Sequence, residues 1–224
     1  MDKLGYLSDT VVLSDFDGTI TTFDTNVELF NRLVDHEVIE DLRRKYYSGK
    51  ISIKELQKQF FKGIHLSQEQ YLNYILNDVK LQKGFSSFYN FLREKNIPFA
   101  VVSGGFETGI KPFLKKHGFE DIPIYANWLI FDGERVKPKF YDEKHFPHII
   151  DTDHYVDCKV EILKDYRERY DNVIFLGDGV TDIHVADKVD ILFAKDYLEK
   201  YCVENCMDYI PWENFYDIIE WFKG

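Results

Sequence analysis

Three short stretches hold side chains suited to handling a phosphate group: Asp15-Phe16-Asp17-Gly18-Thr19, Ser103-Gly104-Gly105, and Gly177-Asp178-Gly179-Val180-Thr181-Asp182. Aspartates gathered in one place repel one another unless a hard cation sits among them, and Mg²⁺ favours a few carboxylate oxygens together with water and phosphate. Ser103 adds a hydroxyl, and the two glycines after it add backbone amides that an oxyanion can approach closely. Lys159 opens a helical pattern and offers the fixed positive charge that phosphoryl transfer needs. Taken singly these features are weak, since Asp-x-Asp-Gly is often a solvated turn and Ser-Gly-Gly often only a loop. Their weight lies in their order and in what precedes each of them.

What precedes each is an apolar run without alternation: Val11-Val12-Leu13, Phe99-Ala100-Val101-Val102 and Val173-Ile174-Phe175-Leu176. A strand covered on both faces reads this way, so the runs predict the central strands of a parallel sheet, with Ile191-Leu192-Phe193-Ala194 as a fourth. Helical patterns fall between them, over Phe85 to Lys95, Thr108 to His117 closed by Gly118, and Lys159 to Tyr170. The order of elements predicts an α/β, doubly wound fold, in which the polar strand ends converge on one open edge where ligands bind. From about Asn26 to Lys80 the pattern is helical throughout, with Ser52/Glu55 and Ser67/Gln70 spaced as capping boxes. It reads as an all-helical insert leaving the sheet after its first strand. Trp128 to Val136, with Asp132-Gly133 at its centre, has the composition of a β-hairpin.

The 224 residues, 45% of them hydrophobic, are enough to bury a core and a smaller inserted unit without disulfide staples. A formal charge of −11 with no long basic run argues against nucleic acid as a partner. No apolar run approaches the roughly 20 residues of a membrane span, and the N-terminus shows no basic-then-apolar leader, so the expected location is cytoplasmic, with no membrane partner. The three cysteines, Cys158, Cys202 and Cys206, match no zinc or disulfide spacing and read as reduced thiols. The stretch with His145, His148, Asp151, Asp153, His154 and Cys158 reads as a solvated polar loop in preference to a second metal site.

In their order along the chain, Asp15-x-Asp17-Gly18-Thr19, Ser103, Lys159 and Gly177-Asp178-Gly179-Val180-Thr181-Asp182 resemble the four motifs of the haloacid dehalogenase (HAD) superfamily. The resemblance implies a Rossmann-like core over 1–22 and 82–224 and a small helical C1 cap over 23–81. It implies a phosphomonoester hydrolase with Asp15 as the nucleophile forming an aspartyl-phosphate and Asp17 as the acid/base. Mg²⁺ would be ligated by Asp15, the backbone carbonyl of Asp17 and Asp178, with Asp182 acting through a metal-bound water. Ser103, Gly104 and Lys159 would hold the phosphoryl group, and Thr19 would orient Asp17 or its loop. The cap would close over a small-molecule phosphate monoester and exclude water.

Within the superfamily, Val101 to Phe106 and Gly177-Asp178-Gly179 look like the phosphoserine phosphatase branch. Two positions depart from it: the substrate-binding glutamate of that branch falls on Asp24, and its cap arginine falls on Phe60, where an apolar ring cannot replace a guanidinium. Asp15 to Asp24, Ser52 to Glu55 and Phe193 to Leu198 are more similar to the methionine-salvage phosphatases of 2-hydroxy-3-keto-5-methylthiopentenyl-1-phosphate. An apolar cap suits a thioether tail, with Phe60 and Phe61 as candidate walls. Phosphoserine, phosphocholine and phosphoethanolamine stand as alternative substrates, and a catalytically silent phosphate-binding module as the alternative outside enzymes. A monomer or a homodimer is expected.

Overall fold

Val11, Val12 and Leu13 are all buried, yet they point in opposite directions, as successive residues of a strand must. Together with their neighbours they form β1 (Thr10–Ser14), the middle strand of the sheet. The computed structural model describes residues 9–141 and 157–224, so the expected polar loop with His145, His148, Asp151, Asp153 and His154 lies outside the described residues.

On either side of β1, in parallel, lie β2 (Phe99–Phe106) and β5 (Asn172–Gly177). β3 (Ile124–Asp132) extends the sheet beyond β2 and β6 (Ile191–Ala194) beyond β5, both parallel. β4 (Arg135–Lys139) folds back on β3 as its antiparallel hairpin partner, and β7 (Ile210–Pro211) closes the other edge, giving the order β4-β3-β2-β1-β5-β6-β7. The sheet is thus mixed, its parallel body carrying one antiparallel edge strand where Asp132-Gly133-Glu134-Arg135 turns the chain.

Four helices leave the sheet after β1: α1 (Thr25–Leu33), α2 (His36–Tyr47), α3 (Ile53–Lys62) and α4 (Gln68–Asn77). The chain departs and returns side by side, with Thr21 bridged to Leu81, Thr22 N donating to Lys80 O at 3.0 Å and Gln82 N donating to Ile20 O at 2.8 Å. Ser67 and Gln70 form the full reciprocal capping box at the start of α4. At α3 only half of the expected box forms: Ser52 accepts from Glu55 N, while the Glu55 carboxylate turns along the helix to accept from Gln59 Nε2 at 2.8 Å.

The remaining helices cover the sheet. α5 (Phe85–Glu94) and α6 (Glu107–Lys116) precede and follow β2, α7 (Asp157–Arg167) leads into β5, a short α8 (Ile183–Ala186) follows the turn after it, and α9 (Asp196–Glu204) and α10 (Phe215–Lys223) finish the chain. Strand alternation sorts the core into two layers. Val12, Val101 and Ile174 face Phe85 and Phe88 of α5 and Phe215 and Phe222 of α10, while Val11, Leu13, Val173 and Phe175 face Ile162, Leu163 and Tyr166 of α7. Ring contacts at 5.1 Å join Phe215 to both Phe85 and Phe88, so one α10 residue locks two turns of α5.

Candidate active site

The parallel strands β1, β2 and β5 end at the same edge, and each ends in one of the polar turns. Beyond β1 the chain makes a tight turn in which the carbonyl of Phe16 accepts from the amides of Thr19, Ile20 and Thr21. Gly18 takes a positive φ of 80° there, and a Cβ on it would collide with the Asp178 carboxylate. That turn places Asp15 and Asp17 at the sheet edge, and Asp15 N is pinned to Leu176 O of β5 at 2.9 Å.

Asp15, Asp178 and Asp182 each bring a carboxylate oxygen within 4.8 Å of the other two. Burial raises the pKa of Asp15 to about 7, with Lys159 pulling it down and Asp182 adding to the rise. Burial also raises Asp178 well above the carboxylate range, helped by the charges of Asp15 and Asp182. Asp15 Oδ1 is buried, with the Lys159 ammonium 3.2 Å away as its ion-pair partner. Three crowded carboxylates, faced at ion-pair distance among the described residues by the single ammonium of Lys159, fit a hard cation. The carboxylate of Asp17 is not one of the three.

It turns instead toward the first turn of α1. Asp17 Oδ1 accepts from the hydroxyl of Thr25 and from its amide at 3.3 Å, and Asp17 Oδ2 accepts from Asn26 Nδ2 at 3.1 Å. Burial, then the charges of Asp24 and Asp15, raise the pKa of Asp17 well above its ordinary value. A Cβ at Gly105 would collide with Asp17 Oδ2, which is why the irregular last part of β2 needs a glycine there. Ser103 Oγ accepts from Gly105 N at 2.9 Å, and Asn127 Nδ2 donates to the carbonyls of Gly104 and Gly105 at 2.9 and 3.1 Å, so β3 braces this loop.

Lys159 is 3% exposed and lies under the carboxylates, 2.6 Å from Asp182 Oδ1 and 3.2 Å from both Asp15 Oδ1 and Thr181 Oγ1. Burial alone would lower its pKa, but Asp15 and Asp182 outweigh that and hold it above the ordinary lysine value, so it stays charged. Asp182 Oδ2 accepts from the amides of Asp178 and Gly179 at 3.1 and 3.0 Å, which shapes the turn after β5.

A cavity of about 200 Å³ opens between this edge and the helices α1, α2 and α3. Of the residues expected from sequence, Asp15, Asp17, Asp24, Phe60, Ser103, Gly104 and Asp178 line it, whereas Thr19, Lys159 and Asp182 do not. Thr19, fully buried and outside the cavity lining, donates from Oγ1 to Asp178 Oδ1 at 2.5 Å and so aims Asp178. Asp24 lines the cavity, and its Oδ1 also caps α1, accepting from the amides of Asn26 and Val27 at 2.9 Å.

The two candidate wall phenylalanines part company. Phe60 lines the cavity and stacks on Phe30 at 4.5 Å, while Phe61 turns away to meet Phe106 at the end of β2. Residues that sequence reading did not single out also reach the cavity, among them Asn26, Arg43 and Gln57. The Asp24-Thr25-Asn26 run, an N-cap before a helix, was the one available pointer to Asp17's partners. Arg43 and Gln57 carried none.

Against known proteins, the family described as haloacid dehalogenase-like hydrolase matches residues 12–187. The chain is 34% identical over 215 residues to the 2-hydroxy-3-keto-5-methylthiopentenyl-1-phosphate phosphatase of Bacillus cereus (strain G9842), covering 92% of this chain and 93% of that one. It is 30% identical over 213 residues to the protein of the same name from Exiguobacterium sibiricum, covering 93% and 94%. Among solved structures, a substrate-bound phosphoserine phosphatase complex superposes with a TM-score of 0.71 at 20% identity, over 96% of this chain and 98% of that one, a likeness of fold.

Proposed function

The chain belongs to the haloacid dehalogenase-like hydrolase family and is a phosphomonoester hydrolase, and on that premise we propose that it dephosphorylates 2-hydroxy-3-keto-5-methylthiopentenyl-1-phosphate through an aspartyl-phosphate on Asp15. The observation that carries this reading is the cavity itself, which joins Asp15 and Asp17 on one side to an apolar wall of Phe30, Ile53, Leu56 and Phe60 on the other. An enol-phosphate with a thioether tail presents that same pair of ends.

In this reading the Asp15 carboxylate attacks phosphorus, a bond forms between its oxygen and phosphorus, and the bond from phosphorus to the substrate oxygen breaks. Asp17, kept protonated by burial and neighbouring charge, gives its proton to the departing oxygen. It then takes a proton from the water that attacks phosphorus, and the bond to Asp15 breaks to release phosphate. Ser103 and the Gly104 and Gly105 turn hold the phosphoryl oxygens, while Lys159, ion-paired to Asp15, keeps the nucleophile in place and offsets its charge. Asp15, Asp178 and the main-chain carbonyl of Asp17 would hold Mg²⁺, with Asp182 behind them, and the ion would supply charge neutralisation for the phosphoryl group. The helices α1 to α4 act as a cap that shields the site from bulk solvent while leaving room for the one attacking water.

Arg43 supports a second reading. It lines the cavity from α2, with Nη1 3.4 Å from Glu40 Oε1, and a substrate carboxylate such as that of phosphoserine would pair with its guanidinium. Phosphate release from a panel of the enol-phosphate, phosphoserine, phosphocholine and 4-nitrophenyl phosphate, with and without Mg²⁺, separates the two. Preference for the enol-phosphate is the expected result. A preference for phosphoserine that Arg43→Ala abolishes would replace the first reading by the second.

A further inference from the structure

The two oxygens of Asp17 are held differently. Oδ1 accepts from both the amide and the hydroxyl of Thr25. An amide N–H can only donate, so Oδ1 is the acceptor oxygen, and a proton carried by this carboxyl belongs on Oδ2. Oδ2 lies against Gly105, where a Cβ would strike it, and so beside the loop assigned to the phosphoryl group. Asn26 Nδ2, 3.1 Å from Oδ2, still leaves that oxygen able to donate its proton. The direction in which Asp17 offers a proton is therefore set by where Thr25 stands.

Thr25 opens α1 in the cap, and its brace comes from another cap helix. The buried Tyr74 of α4 donates from its hydroxyl to the carbonyl of Thr25 at 2.8 Å. α4 is in turn tied to the sheet domain. Tyr71, one turn before Tyr74, meets the Phe131 ring of β3 at 5.8 Å, and its hydroxyl lies where a Cβ on Gly109 of α6 would collide with it. Leu66 N, just ahead of α4, donates to Glu134 O in the β3–β4 turn at 2.8 Å. At their other ends α1 and α4 are joined by Arg32, which pairs with Glu28 at 2.8 Å and with Asp78, its guanidinium 5.1 Å from the centre of the Tyr74 ring. An unbroken line of contacts thus runs from the sheet through α4 and Thr25 to Asp17.

We infer that Tyr74 is a positioning residue for the acid/base: its hydroxyl fixes the first turn of α1, and through Thr25 it fixes where Asp17 Oδ2 points. Tyr74 is not a catalytic residue, since it reaches the carboxyl only through Thr25. The inference rests on the reading of Asp17 as the acid and extends it to a side chain from the far end of the cap. A general acid contributes only when its proton meets the leaving oxygen in line, and a small misplacement costs much of that contribution.

The test uses two aryl esters that differ in how much they need a proton on the departing oxygen, phenyl phosphate with a poor leaving group and 4-nitrophenyl phosphate with a good one. Single-turnover release of the phenol reports the transfer to Asp15, in which the bond from phosphorus to the ester oxygen breaks and the proton passes to that oxygen from Asp17. Tyr74→Phe keeps the ring beside Arg32 and removes only the hydroxyl. It should slow release from phenyl phosphate by roughly tenfold and from 4-nitrophenyl phosphate by less than about twofold. Tyr74→Leu should show the same split, and thermal melting establishes that each variant is folded. Equal losses on the two esters, or no loss on either, would make Tyr74 a packing residue of the cap and overturn the inference. Asp17→Asn is measured beside them and should show the same split on a larger scale. If it slows both esters equally, the acid role of Asp17 falls and the inference with it, an outcome seen without touching Tyr74.

Discussion

The floor and the roof of the cavity are built on opposite principles. On the floor, at the ends of β1, β2 and β5, charged side chains are buried and tied to one another: Lys159 to Asp15 and Asp182, Thr19 to Asp178, Asp182 to the amides of its own turn. On the roof, α2 and α3 offer mainly apolar and aromatic side chains, and Arg43 and Gln57 among them are held by long contacts of 3.4 and 3.5 Å. A floor in which each group holds another has little freedom to change. A roof of loosely tied side chains can be altered one residue at a time, which is how a fixed phosphoryl-transfer site acquires different substrates.

That contrast predicts how the two halves respond to mutation. The largest effect belongs to the floor: Asp15→Asn removes the proposed nucleophile with almost no change in volume, so turnover should fall by about 10⁴-fold or more while the melting temperature holds. Steady-state phosphate release checks it, and activity near the native level would refute the assignment. Chelation should come next, with activity lost in EDTA and regained on adding Mg²⁺. Thr19→Val should act through Asp178 alone, weakening Mg²⁺ activation by roughly 10- to 100-fold with substrate KM little changed at saturating metal. A Mg²⁺ titration of activity reads this directly, and an unchanged midpoint would show that Asp178 needs no such support. The smallest effect belongs to the roof. Phe60→Ala should cost several-fold in kcat/KM for a substrate with an apolar tail and far less for one without, since it removes a stacked wall and leaves the chemistry untouched. Equal losses on both would mean that Phe60 only holds Phe30.

The same division decided what could be read from sequence. The four buried runs became β1, β2, β5 and β6, and Asp132-Gly133 became the turn of the β3–β4 hairpin, because burial on both faces and turn chemistry leave local marks. β7 is two residues long and leaves none. On the floor, Asp15, Asp17, Ser103, Asp178 and Asp182 stand within a few residues of a strand end, so their convergence followed from topology. The partner of Thr19 could not be read, since Asp178 is brought to it only by the pairing of β1 with β5. On the roof, Phe60 and Phe61 are neighbours in sequence, and only the packed helix shows that one faces the cavity and the other the sheet. Arg43 and Gln57 come from the middle of amphipathic helices, where nothing in the pattern distinguishes a cavity-facing polar side chain from a solvated one.

The bridge between Thr21 and Leu81 marks a seam where α1 to α4 enter and leave the sheet together, a natural place to transplant one lid onto another scaffold. Such a graft would not exchange specificity alone. Thr25 and Asn26 lie just on the lid side of the seam and hold both oxygens of Asp17, so the transplant carries away the partners of a floor carboxylate. Chimeras cut at this seam inherit the donor's grip on Asp17 along with its taste in substrates, and the two traits would diversify as one heritable unit.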